Sequence, residues 1–428
     1  MEEKEVYENF VKGSVIIAVF MGGFIGVLIL ASTVLGLSLG PYWRLVQTHS
    51  HFELFGWLGL FIMGISYHVI PRFKATQLCN RGLANISFWL MILGVLLRGT
   101  GISSVWGSSF KFIVLLSSLL ELSAVAIFLY VMIKTILSSD QKPEIFERYV
   151  FIALTWFFIG SILNLGISIH MVKSGFVNVP IVLNKVLIHV ILYGFATMMI
   201  MGVSIRTLPI FLGLKEGLKQ PIRLVLVFFN LGVIISVISP ILIYTTNIIE
   251  TPSFVAHSLL IGGVLLEFLA VITFIYSLNI FKKPEIKLPS LESSINFEIS
   301  AKGGYVWLLF VVVLNLYLTV RDMHGDMFVY GAYIHSLTIG FITMMMFGFS
   351  NRVIPIFKGV DLYSLRLANL ALFLLIGGNL IRVFFELFYP FLIPLKIILG
   401  FSGFITLSAY AVFGINIWAT INTSYQEE

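Results

Sequence analysis

The 428-residue chain is poor in charge: Asp, Glu, Lys and Arg make up 11% of it, against 58% hydrophobic residues. A soluble domain carries roughly 25% charged residues, so a soluble class is excluded. There is one cysteine, Cys79, which rules out an intramolecular disulfide. No Cys-x-x-Cys-His occurs, so a covalently attached c-type haem is ruled out as well. The net charge of +6 does not indicate a nucleic-acid partner, because the basic residues sit in short stretches between apolar runs. The expected partner is membrane lipid. The first ten residues are acidic and lead into a run long enough to span, which reads as a retained first helix rather than a signal peptide.

What is abundant is long apolar runs. A span takes roughly 20 residues, and twelve such runs are present. The first starts near Ser14, the second covers 47–69, the sixth 180–205, the seventh 222–244, the ninth starts at Gly304 and the tenth covers 328–350. Residues 282–303, with Pro284, Pro289 and a serine-rich stretch, read as the longest linker. Of the 27 Lys and Arg residues, 19 fall in the N-terminal segment and the loops after even-numbered helices. The positive-inside rule then predicts a multi-pass protein of the inner (plasma) membrane with both termini cytoplasmic.

An internal repeat organises these runs. His51, His189 and His335 are each followed by glycine at +5 and +13, a basic residue at +17, proline at +20 and phenylalanine at +22. The register continues without a gap to Gly94, Gly232 and Gly378 at +43, and the first and third copies share an arginine at +47, Arg98 and Arg382. The fold class predicted is an all-α membrane protein of about twelve transmembrane helices in three pseudo-symmetric four-helix units. These units cover about 12–140, 148–285 and 303–422 of a single transmembrane domain.

The second, sixth and tenth helices run the same way, so the three histidines lie at equal depth, in the outer half of the membrane. Ionisable groups there are costly and point to function. Two neutral imidazoles from two helices can hold haem iron, and His51 and His335 are the candidates. His189 is a candidate for any metal. His49 lies about 200° around the helix from His51, so it serves a second cofactor or caps the helix end. Arg98 and Arg382, repeat-related cations inside apolar helices, suit haem propionates. The paired glycines suit either a neighbouring helix or a flat ligand. His68, Arg206 and Arg352 read as anchors reaching the interface. His170, His257 and His324 read as interfacial. Glu121 and Glu267, in the fourth and eighth helices, relay protons or hydrogen-bond across the bundle, and Glu53 lies close in sequence to the proposed haem site.

Twelve helices in three units with histidines on helices 2, 6 and 10 resemble the haem-copper oxidase subunit I superfamily. The stretch His49-Ser-His51-Phe-Glu-Leu-Phe-Gly56-Trp57, ending Tyr67-His68-Val-Ile-Pro71-Arg72-Phe73, resembles stand-alone relatives of the cbb-type cytochrome c oxidase subunit I. The repeated His-x4-Gly and Arg-x2-Pro pattern is also similar to NnrS-like haem proteins of nitric oxide metabolism. The resemblance implies haem b on His51 and His335, with His189 at the position of a copper ligand. It departs from the family on helix 7, which has no histidine, and at Leu337, where oxidases carry a second helix-10 histidine.

The expectation is a haem b protein of respiratory electron transfer or nitric oxide handling, without a complete oxygen-reducing haem-copper centre. Copper or a second haem is the further cofactor, near His189 or His49. The electron partner is a c-type cytochrome or a quinone. The alternatives are a catalytic cytochrome c oxidase or nitric oxide reductase subunit, and a proton-coupled secondary transporter.

Overall fold

A computed structural model describes residues 5–37, 42–102, 110–175, 178–249, 253–285, 292–391 and 395–423. Lys4, Lys287 and Pro289 lie outside them. The described residues form helices and connecting turns, with no strand. Twelve helices are long and apolar enough to cross a membrane. They are α1 Val6–Leu35, α2 Tyr42–Phe73, α3 Arg81–Thr100, α4 Lys111–Leu137, α5 Ile145–Ser174, α6 Ile181–Leu212, α7 Lys219–Tyr244, α8 Phe254–Leu278, α9 Ile295–Val320, α10 Met327–Lys358, α11 Leu365–Leu387 and α12 Lys396–Asn422. The chain divides into two compact units, Met1–Met199 and Ile200–Glu428.

The helices fall into two classes by burial. The most apolar stretch of α2 is wholly enclosed by protein, and those of α6 and α10 are 83% and 78% buried. The corresponding stretches of the other nine are at most half buried. Side chains such as Phe20, Phe112, Phe254 and Phe373 face outward, as lipid-contacting positions do. The helices that carry the three repeated histidines are therefore the enclosed ones.

Several boundaries differ from the sequence expectation: α2 spans Tyr42–Phe73, and α6 and α10 run on to Leu212 and Lys358. The ninth helix begins before Gly304: residues from Glu292 onward are already helical. Asn296, Phe297, Ser300, Ala301 and Gly304 are buried at helical spacing, so packing rather than hydropathy builds this turn. The Asn296 amide donates to Asn369 Oδ1 on α11 at 3.0 Å. The first helix also starts earlier, at Val6.

His68, expected to reach out as an anchor, is enclosed by protein. It is 2% exposed, its ring lies 4.0 Å from that of Tyr7, and its Nδ1 is 2.8 Å from Glu5 Oε2. Arg72 adds a second contact to Glu5 at 3.1 Å. The hydrogen bond from His68 holds the Glu5 carboxyl at about 2, below the ordinary carboxylate range. Glu5 thereby ties the start of α1 to the end of α2.

Nearby, Lys74 is enclosed after the end of α2. Its ammonium donates to Glu147 Oε1 at 2.8 Å and to the carbonyls of Gln141 and Lys142 at 3.2 and 3.4 Å. The same carboxylate accepts the Glu144 N–H at 2.8 Å, completing the capping box that starts α5.

Candidate functional site

Each repeated histidine stands at a change of helix type. α2 is α-helical to His51 and then opens into a π-helix over Phe52–Gly59. α6 does the same after His189, over Val190–Thr197, and α10 after His335, over Ser336–Thr343. In all three the π segment has eight residues and begins directly after the histidine. Such segments occur often at functional sites, because the wider turn re-aims side chains and frees backbone groups.

The glycines at +5 and +13 seat neighbouring helices. A Cβ on Gly56 would lie 2.6 Å from Ile17 Cγ2, one on Gly194 2.6 Å from Trp156 Cγ, and one on Gly340 2.6 Å from Trp307 Cδ2. At +13, a Cβ on Gly64 would meet Phe10 and one on Gly348 would meet Ser300. These partners all belong to α1, α5 or α9, the helix preceding each histidine helix. Close helix approach, not a flat ligand, occupies these positions. Gly64→Ala is expected to cost about 1–3 kcal/mol through overpacking. Gly166→Ala, which meets nothing within 4 Å, should be neutral or stabilising by up to about 1 kcal/mol. Thermal unfolding of the detergent-solubilised variants measures both, and equal melting temperatures would contradict the packing account.

In the first compact unit, His51 is 6% exposed and its ring stacks on Phe55 at 4.8 Å. Its Nε2 lies 2.7 Å from Oε1 of Glu121, which is fully buried on α4. The other Glu121 oxygen accepts from Asn164 Nδ2 on α5 at 2.7 Å. Ser168 donates to the Asn164 carbonyl at 2.9 Å and lies 2.5 Å from Ser118 Oγ. Arg98 on α3 donates to Ser168 Oγ at 2.6 Å. The result is one enclosed polar chain linking α2, α4, α5 and α3. The buried Arg98 Nε and Asn164 Oδ1 complete it without protein partners.

His49 and His51 face different helices, as their spacing predicts. His49 Nδ1 is 2.8 Å from the Gly22 carbonyl, inside a π segment of α1 at Ala18–Gly23. Glu53 also packs on Gly22, and so turns away from His51. His189 is half-buried, and its ring stacks on Tyr193 at 4.4 Å, repeating the His51–Phe55 arrangement four residues on.

In the second compact unit, His335 Nδ1 is 2.7 Å from the Gly331 carbonyl and 3.3 Å from Glu386 Oε2. The other Glu386 oxygen accepts from Arg382 Nε at 2.6 Å. Arg98 and Arg382 are thus repeat-related yet differently used: one bridges serines, the other neutralises a carboxylate.

Glu386 is a site residue that the histidine repeat does not mark, although Arg382 and Glu386 stand four apart on one helix face. A second repeat runs beside the first. Glu121, Glu267 and Thr406 are each followed by alanine at +3 and phenylalanine at +7. Each packs on the glycine at +43 of its own repeat: a Cβ there would lie 2.7 Å from Glu121 Cγ, 2.9 Å from Glu267 Cγ and 2.7 Å from Thr406 Oγ1.

Among the described residues no group of three or more His, Cys, Asp and Glu is placed to hold a metal ion. Haem asks for less, one imidazole from each side. Ligating histidines generally donate their second ring nitrogen to a carboxylate or carbonyl. His51 fits this through Nε2 and Glu121, leaving Nδ1. His335 fits it through Nδ1, leaving Nε2. Each imidazole is thus held at one ring nitrogen within its own unit.

Residues 8–142 match the family described as cytochrome C and quinol oxidase polypeptide I. No curated protein matches the chain.

Proposed function

We propose that this chain, whose residues 8–142 match the cytochrome C and quinol oxidase polypeptide I family, has the haem-copper oxidase subunit I-like fold and is a haem b-binding membrane protein of respiratory electron transfer or nitric oxide handling. His51 and His335 are the ligands in this reading. The observation that carries it is the pair of histidines at equal register, each opening a π-helix and each tied at one ring nitrogen. Bound haem supplies one-electron redox chemistry and a site for small gases. Glu121 and Gly331 fix the imidazole orientations. Arg98, with its buried unpartnered Nε, is the better propionate partner, since Arg382 is engaged by Glu386.

The same reading takes 12–140, 148–285 and 303–422 as repeat units and places the chain in the inner membrane with cytoplasmic termini. A c-type cytochrome or a quinol delivers electrons, because the chain carries no covalent haem motif. His189 or His49 is the place for copper or a second haem. The absence of histidine from α7 and the leucine at position 337 argue against a complete oxygen-reducing centre. A catalytic oxidase or nitric oxide reductase subunit is the second reading, favoured by the family match, and gas consumption by the purified protein with an electron donor decides it.

The test is an optical spectrum of detergent-purified protein, oxidised and dithionite-reduced. A Soret band with sharp reduced α and β bands is expected. Protein from haem-sufficient cells with no Soret band overturns the reading, and substrate uptake surviving haem removal would favour a proton-coupled transporter instead.

A further inference from the structure

Both candidate ligands have a buried glutamate beside them, hydrogen-bonded to His51 and 3.3 Å from His335, and the two glutamates come from unrelated places in the repeat. Glu121 belongs to α4 of the first copy, Glu386 to α11 of the third. The copy of Glu121 in the third repeat is Thr406, and the position matching Glu386 in the first is Ile102. The carboxylate–imidazole pairing was therefore reached twice by different residues, which simple inheritance from one ancestral unit does not produce.

We propose, resting on the haem reading above, that Glu121 and Glu386 are positioning residues that bias the haem toward its oxidised form. A carboxylate that accepts a ligand's N–H makes the imidazole a stronger donor to iron. A stronger donor stabilises the higher oxidation state and lowers the reduction potential. The two pairs differ in strength. His51 and Glu121 are 2.7 Å apart with side chains 7% and 0% exposed. His335 and Glu386 are 3.3 Å apart at 18% and 5%, and the hydrogen bond from His335 Nδ1 goes to the Gly331 carbonyl, so Glu386 acts on this imidazole through its charge alone. Arg382 further draws on the Glu386 charge at 2.6 Å, whereas Glu121 meets neutral Asn164 directly and Arg98 only through the serines. In an enclosed, low-dielectric site the shorter and drier pair acts more strongly. Glu121 is the principal control and Glu386 the minor one. The protein is then a low-potential haem site, matched to a reducing donor.

The experiment is a potentiometric titration of the purified haem-loaded wild type, Glu121→Gln and Glu386→Gln, followed at the reduced α band at one pH. Both variants should keep the bis-histidine spectrum and shift the midpoint upward, Glu121→Gln by more. A near-infrared magnetic circular dichroism spectrum of the wild type gives a second reading that needs no variant. Its charge-transfer band should lie at higher energy than in neutral bis-imidazole haem standards. Haem retained with unmoved midpoints, or a wild-type band at the neutral-imidazole position, overturns this inference and leaves the haem reading standing. A wild type with no Soret band overturns both. If either variant loses its haem, the wild-type band decides.

Discussion

His335→Ala and His51→Ala are each expected to abolish the sharp reduced α and β bands of a six-coordinate haem. The two effects arise from different local settings. His335 is held at Nδ1 by the Gly331 carbonyl, one turn back on its own helix. Its removal takes away a ligand that the backbone orients, and leaves Glu386 with Arg382 as its remaining partner. His51 is held by a side chain from another helix, so its removal also leaves Glu121 to Asn164 alone. Loss of an outer-shell partner alone costs about 10–100-fold in metal affinity, so loss of the ligand should reduce haem per protein by more than about tenfold. The pyridine haemochrome content and the reduced spectrum measure this. Unchanged bands in His51→Ala would remove His51 from the ligand set.

The second large effect concerns stability. Lys74→Met should cost about 3–5 kcal/mol, because it leaves a buried carboxylate with its compensating charge gone. Lys74 is 1% exposed and Glu147 7%, at 2.8 Å, so little water can replace the ammonium. Glu147 would keep only the backbone N–H of Glu144. The double variant Lys74→Met, Glu147→Gln should recover most of the loss, since a neutral amide can still cap α5. Thermal unfolding in detergent, run as a double-mutant cycle, separates the pair from its parts. A Lys74→Met protein that melts like wild type would show the pair to be solvated.

These residues also show what could be read beforehand. The twelve spans are written in hydropathy, and the equal register of His51, His189 and His335 is written in the repeat. Lys74 counted correctly as a cation beyond the end of α2, but the spacing of 73 residues to Glu147 gives no hint that the charge is paired. The same holds for His51 and Glu121, separated by 70 residues. Such pairings depend on which helix faces which, and apolar runs without a strong polar face do not encode that. The start of α9 was obscured because Asn296 and Ser300 look like linker residues until Asn369 and Gly348 are placed against them. The π segments had no signal, since residues such as Phe52–Gly59 read as ordinary apolar helix.

A π turn is what a helix forms when it absorbs one residue more than its α register holds. The same wider turn follows the histidine in α2, α6 and α10, so all three helices leave α register at the residue after it. The π turn of α1 at Ala18–Gly23 has no counterpart in α5 or in α9, both α-helical throughout. The widened turn of α1 instead offers its Gly22 carbonyl to His49 Nδ1 at 2.8 Å, so a helix that carries no repeated histidine meets a histidine of α2 through the same kind of break.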